Sequence, residues 1–432
     1  LYLSEGDTPD HQSPTSIEKG GVLYERTADG VYSYRSWRID ATDTPGGWRW
    51  TDKHGNWQQY DTSGRMTAYG SPNGETGKLL YEAEDGGRLI GVADRTDRQV
   101  IWFEYLGASR TISSVRDLEN RRVDYTYENE ELTRVVNVLG NPSDYEYDEK
   151  GRMSKTVDPD GRWFTVSYDK YGNVETLKDS RGLTHRFEFG FDDGKKEYYS
   201  RVDFPSGRVV EAWHDQYRDT RRIDINGRTR KKIVRDRNSR TRVITDERGN
   251  ITRKTFDQWE NLIKTVYPDE TVDAFEYEPV YRRLLRKTDR AGRMTEYAHD
   301  PHGNAVQVAQ AVGTASERVF SMTYDEYGQL LSFTAEGDAN TAGAGFAFVY
   351  DDAGNLVSIT DPEDHTIEYT AFDMMGNALD VTDALGNSWK IETDAAGRVI
   401  NVIDPADRLT ALAYDGNGNL TGVIYPGEKQ FG

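Results

Sequence analysis

Gly74-Glu75-Thr76-Gly77-Lys78 has the glycine and lysine placement of a loop that cradles nucleotide phosphates. Pro72 stands where that loop needs its leading glycine, and Leu79 replaces the hydroxyl residue that would hold magnesium, so the segment reads as a turn. Asp415-Gly416-Asn417-Gly418-Asn419 spaces three oxygen ligands as a calcium loop does, but Leu420 replaces the required glycine and Pro426 the bidentate glutamate. The seven histidines are scattered, with no pair at helical spacing for a zinc ion. Cysteine is absent, which excludes disulfides, thiolate metal sites and cysteine nucleophiles together. Among 74 acidic residues a glycosidase pair could hide, yet the aspartates recur at fixed places and so read as turns. Asn250-Ile251-Thr252 and Asn419-Leu420-Thr421 match the glycosylation pattern but also fall on turns. The expectation is a protein that is not an enzyme, with no catalytic, metal or cofactor-binding residue.

Two groups are candidates for binding. Trp48, Trp50 and Trp57, near Trp37, could present rings to a glycan or a protein partner, or plug the end of a larger structure. The segment from Arg218 to Arg242 holds 11 Lys/Arg against three Asp/Glu. There Arg221, Arg222, Arg230, Lys231 and Lys232 form either a solvated strand face paired with acidic strands or a patch for an acidic partner. The net charge of −20 argues against nucleic acid, whose phosphates need a basic face. No stretch approaches the roughly 18 apolar residues of a membrane span, so membrane insertion is not expected. Leu1-Tyr2-Leu3-Ser4-Glu5-Gly6 carries no export signal.

These aspartates belong to a repeat. Tyr60-Asp61-Thr62-Ser63-Gly64-Arg65 returns as Tyr147-Asp148-Glu149-Lys150-Gly151-Arg152, as Tyr168-Asp169-Lys170-Tyr171-Gly172-Asn173 and as Tyr414-Asp415-Gly416-Asn417-Gly418-Asn419. With weaker copies, at Phe189, His214, Arg235 and His299 among others, there are 17 units, and the 354 residues from Tyr60 to Tyr414 give about 22 per unit. Three longer intervals, after Phe189, His299 and Tyr324, read as loop insertions, for instance Glu336 to Gly345. Midway lies a second punctuation, as in Val157-Asp158-Pro159-Asp160-Gly161 and Thr360-Asp361-Pro362. Each unit therefore reads strand, turn, strand, turn, with Asp accepting a main-chain N–H and Gly supplying positive φ. Flanks such as Tyr145-Glu146-Tyr147 and Phe275-Glu276-Tyr277 alternate aromatic and polar, the period of a strand.

Two strands per unit make 34, and the expected architecture is all-β: tandem hairpins in one long, strongly coiled antiparallel sheet. Open sheets beyond about ten strands curl or close. With hydrophobic residues at only 36%, both faces cannot be covered, so the wound strip should keep solvent on each side and an interior space. Tyrosine suits such a sheet, its ring packed and its hydroxyl wet. Residues 1–23 read as a polar segment or linker and 24–432 as one continuous array, cut mid-repeat.

The Y-D-x-x-G-[NR] core with its T-D-P-x-G half-turn closely resembles the YD repeats of the Rhs family, which includes bacterial polymorphic toxins, shells of insecticidal toxin complexes and teneurins. Gly47-Trp48-Arg49-Trp50-Thr51-Asp52-Lys53-His54-Gly55 resembles the lead-in to the first repeats of such proteins. The resemblance implies a hollow β-sheet shell that encloses a toxin-like cargo in a larger secreted or surface bacterial protein. The partners it implies are the cargo domain or a shell-completing segment; carbohydrate follows only from the exposed aromatics.

Overall fold

The computed structural model describes residues 2–4, 16–20, 22–28, 30–34, 37–40, 47–83, 87–336 and 345–427. Most of the expected insertion between Glu336 and Gly345 lies outside them. The described residues form 40 strands and no helix. Strands Trp57–Asp61 to Leu420–Ile424 supply the 34 that 17 units require, and six precede them. The strands belong to one hydrogen-bonded sheet, each pairing antiparallel with its neighbour in sequence.

Strands Pro142–Tyr147, Met153–Val157 and Trp163–Tyr168 show how one unit is made. At the YD turn, Asp148 N donates to Arg152 O at 2.8 Å and Gly151 N donates to Asp148 O at 2.9 Å. This is a type I turn closed by a left-handed residue, and Gly151 takes that place at φ 70. Asp158 to Arg162 repeats both bonds at the half-turn, with Gly161 at φ 77. Pro159 follows Asp158, where a type I turn accepts its fixed φ.

The two turns differ in the register of the strands they join. Across the half-turn Val157 faces Trp163 and Thr156 faces Phe164 without a break. Across the YD turn Tyr147 faces Met153 while Glu146 faces Lys155, so Ser154 is an extra residue, a β-bulge. The same shift recurs at Tyr60, Tyr127, Tyr168, Tyr277, Tyr324, Tyr350 and Tyr414.

The tyrosine hydroxyls are not simply wet, as the alternation alone suggests. Tyr147 Oη donates to Leu132 O at 2.9 Å and Tyr168 Oη to Met153 O at 2.7 Å, and Tyr81, Tyr277 and Tyr414 repeat the contact with Met66, Leu262 and Val399. Met66, Leu132 and Met153 are the residues facing the previous unit's tyrosine across its bulge. A bulge disturbs the ladder there, and the next unit's phenol supplies a donor to that strand. Burial at this site pushes the Tyr277 phenol above its ordinary range.

The chain divides into two compact units. The first comprises Leu1–Glu104, Lys254–Asp351 and Leu356–Thr366; the second comprises Tyr105–Arg253, Asp352–Asn355 and Ile367–Gly432. Within each, turns far apart in sequence touch, so the strip coils back on itself. In the first, Lys53 donates to Asn261 at 2.9 Å, and the Asn73 and Asn304 side chains exchange hydrogen bonds at 3.2 and 2.8 Å. In the second, Asn417 donates to Asp158 at 2.7 Å and Gly416 N to Asp160 at 2.7 Å.

Burial is sparse. Of the described hydrophobic side chains only Ile17, Tyr24, Tyr32, Ile39, Ala68, Ala93 and Trp213 are buried. Four of these, Ile17, Tyr24, Tyr32 and Ile39, form one cluster with Trp48 and Trp50 against it. Ile17 lies on Ser16–Lys19, and Val22–Ala28 spans the boundary expected at residue 24, so strands begin inside the segment read as a linker. Gly74–Tyr81 is likewise a strand; the turn lies just before it, and the expected turn over 74–78 is corrected.

Gly161 has open space around an added Cβ, so Gly161→Ala isolates the cost of positive φ. Urea unfolding should show a loss of about 1–2 kcal/mol. Tyr277→Phe, which removes the hydroxyl from Leu262 O, should cost about 1 kcal/mol.

Candidate functional site

The turn aspartates, the commonest candidates for chemistry, are fully engaged. In Asp148, Oδ1 accepts from the N–H of Lys150 and Arg152 at 2.9 and 3.0 Å, and Oδ2 accepts from Arg152 Nε at 2.9 Å. Asp61, Asp158, Asp289, Asp394 and Asp404 hold Arg65, Arg162, Arg293, Arg398 and Arg408 in the same way. Asp169, Asp246, Asp383 and Asp415 hold Asn173, Asn250, Asn387 and Asn419 through the amide. The calcium-like loop at Asp415 and both glycosylation patterns are thus instances of this turn, with the Asn250 and Asn419 amides turned inward to their aspartates.

The arginines also reach the next unit. Arg65, Arg152 and Arg398 place their guanidinium carbons 5.0, 4.4 and 4.6 Å from the ring centres of Tyr81, Tyr168 and Tyr414. The Arg152 side chain and two main-chain donors bring the Asp148 carboxyl down to about 2. Asn173, Asn250, Arg293 and Asn387 lower Asp169, Asp246, Asp289 and Asp383 in the same way.

Asp361, Glu363 and His365 bring three ligand atoms within 4.8 Å of one another, so the group could touch a cation. Here His365 Nδ1 stands 3.1 Å from Asp361 Oδ2, where other turns have arginine or asparagine. Asp361 Oδ1 accepts from the N–H of Glu363 and His365. The cluster is one more exposed turn.

Trp48, Trp50 and Trp57 are partly buried rather than displayed. Trp48 meets Tyr32 edge to face at 6.0 Å, Trp50 Nε1 donates to Tyr24 Oη at 2.9 Å, and Trp57 Nε1 donates to Ser71 O at 3.1 Å. Their indoles hold the N-terminal cluster and the adjoining strands together.

Several cations of the basic segment are paired. Arg221 meets Asp215 at 2.6 Å and Arg222 meets Asp224 at 3.0 Å, while Arg230 pairs with Glu247. Lys231 faces Asp246 across the sheet, and Lys232 is exposed between Arg222 and Thr245. Arg235 and Arg237 share Asp219. Asp215, Glu247 and Asp246 lie outside the segment and offset part of its surplus of cations.

A cleft of about 630 Å³ in the first unit went unmarked in the sequence. Ser33, Trp37, Arg38, Asp40, Arg49 and Thr51 line one side, and Trp259, Val280, Tyr281 and Arg282 the other. Its signal was a departure from the repeat. Glu278 replaces the turn aspartate, and its turn holds one residue more, since Glu278 N donates to Arg283 O. The longer glutamate arm reaches the N–H groups of Val280, Tyr281 and Arg283.

A family model described as Teneurin YD-shell matches residues 105–403, and one described as RHS Repeat matches 394–429. No curated protein sequence matches the chain. The crystal structure of TcdB2-TccC3-Cdc42 superposes with a TM-score of 0.56 at 13% identity over 93% of this chain and 26% of its own. That of TcdB2-TccC3-TEV gives 0.50 at 13% identity over 91% and 24%. At this identity they share the fold, and the present chain spans about a quarter of their length.

The lowered aspartates bind protons less readily folded than unfolded. Their stabilisation is complete above the ordinary aspartate value near 4 and is lost as pH falls toward about 2, the value for Asp148. Melting temperature followed by circular dichroism should therefore be level from pH 7 to 5 and drop steeply between about 4 and 2. Trp50→Ala should cost about 2–4 kcal/mol through lost packing against the N-terminal cluster.

Proposed function

The chain belongs to the Teneurin YD-shell family, and from this we propose that it is a segment of a β-sheet shell that encloses or shields a toxin-like cargo domain. The larger protein would be a secreted or cell-surface bacterial protein of the Rhs type, and the array after residue 24 would act as one continuous scaffold. The observation that carries the reading is a sheet with very few buried side chains, whose strip nevertheless coils within each unit and is fastened turn to turn. Such a sheet gains stability from neighbouring units rather than from a filled centre. It leaves space beside its faces for something else.

Its mechanism is steric. The aspartates that could have served as acids or bases are committed to main-chain donors, so we assign no catalytic step to them. The cargo domain or a shell-completing segment is the partner, held by exclusion from proteases and solvent.

Solution scattering tests the shell. A curved or hollow particle, with its pair-distance maximum displaced to long distances, is the expected outcome. A profile fitted by a solid compact body of the same mass would refute enclosure.

A further inference from the structure

We propose that the cleft in the first unit bounded by Trp37, Arg38, Arg49, Lys53, Trp259 and Arg282 binds an anionic oligosaccharide, one bearing carboxylate or sulfate groups. The proposal goes beyond the shell and holds whether or not the strip encloses a cargo.

Two departures from the repeat and one turn-tip ring converge there. Trp259 occupies a turn tip that holds a ring in other turns as well, Tyr171, Tyr217 and Tyr327 among them, and here the ring lies at the cleft wall. The turn from Glu278 to Arg283 carries its extra residue at the cleft wall. Arg49, Thr51 and Lys53 come from the tryptophan-rich stretch before the first unit. A regular array breaks its own rules where something other than folding is being served.

Charge gives the sign of the ligand. Arg38 is answered by Asp40. The contacts of three other cations are neutral: Arg49 meets Gln59 and Trp57, Lys53 meets Asn261, and the Arg282 guanidinium lies 3.4 Å from the Trp259 ring centre. Asp52, the other acid at the wall, bonds its own turn and Asn56 and keeps its charge, so four lining cations stand against two lining acids. In a chain of net charge −20 this leaves a local positive site. Guanidinium groups match the planar oxygens of carboxylate and the flat face of sulfate.

Shape gives the class. Trp37, 38% exposed, offers a ring face, and Ser33 and Thr51 offer hydroxyls, while the Tyr281 ring packs against Gly55 and Gly303. The volume lies within the roughly 300–1,000 Å³ of small-ligand sites. An extended peptide would want a free strand edge, but Val31–Tyr34, Trp37–Asp40 and Gly47–Thr51 are paired on both sides.

Calorimetric titration of the full chain with a heparin-derived tetrasaccharide decides the matter, with cellotetraose and a glutamate decapeptide as competitors of other chemistry. One tetrasaccharide should bind per chain, and cellotetraose at least tenfold more weakly. Trp37→Ala and Arg282→Gly should each weaken binding at least tenfold, and Lys232→Ala should leave it unchanged. Arg282 sits at φ 55, where glycine is the easier residue, so Arg282→Gly removes the cation while relieving the turn, and loss of binding cannot be put down to unfolding. Absence of saturable binding, affinity indifferent to both substitutions, or equal affinity for the decapeptide would each overturn the assignment.

Discussion

An aspartate carboxylate that accepts two main-chain N–H groups of its own loop, and a side chain from the loop's last residue, recurs at both turns of the unit. It closes a hairpin from within, so the hairpin needs no core beneath it. Hydrogen bonds to a charged acceptor are among the stronger ones a turn can have, and here they are multiplied along the chain. At YD turns the clasp extends outward. Arg152 holds Asp148 with one edge and lies over Tyr168 with its face, and Tyr168 gives its hydroxyl back to Met153. Turn, strand and next unit are joined in one circuit, which is how a sheet with so little buried surface stays regular.

Much of this was legible in the residues. Aspartate and glycine at fixed spacing revealed the turns, the alternation around Tyr145 and Tyr147 revealed the strands, and constant unit length gave the number of both. The arginine or asparagine after the glycine was visible as a pattern, but its cause was not, because that cause is the second oxygen of an aspartate four residues earlier. The hydroxyl of tyrosine was misjudged for a similar reason. Its acceptor lies 15 residues back, at a bulge that a hydrophobic pattern does not announce.

Outside the repeat, periodicity has less to say. Strand Ser16–Lys19 holds a single buried isoleucine among polar neighbours, so nothing in its composition separates it from a linker. The tryptophans suggested display, yet an indole packs as readily as it binds, and Trp50 is fixed by a tyrosine 26 residues away. The excess of cations between Arg218 and Arg242 was real as a count, but some of its partners, Asp215 and Glu247 among them, lie just beyond the segment, in turns.

The hairpin of Thr184–Asp192 and Glu197–Asp203 is the place where the pattern stretches. Its seven paired positions, from Arg186 opposite Asp203 to Asp192 opposite Glu197, run without the bulge found at other YD turns. Growth in both arms together adds residues in matched couples, and the alternation of faces is undisturbed when the chain returns to Val209–His214. Length can thus be spent at the rim without renumbering the rest of the strip. A lineage of such proteins could lengthen one hairpin into an arm, or graft a new loop at its tip, while every downstream strand keeps its place.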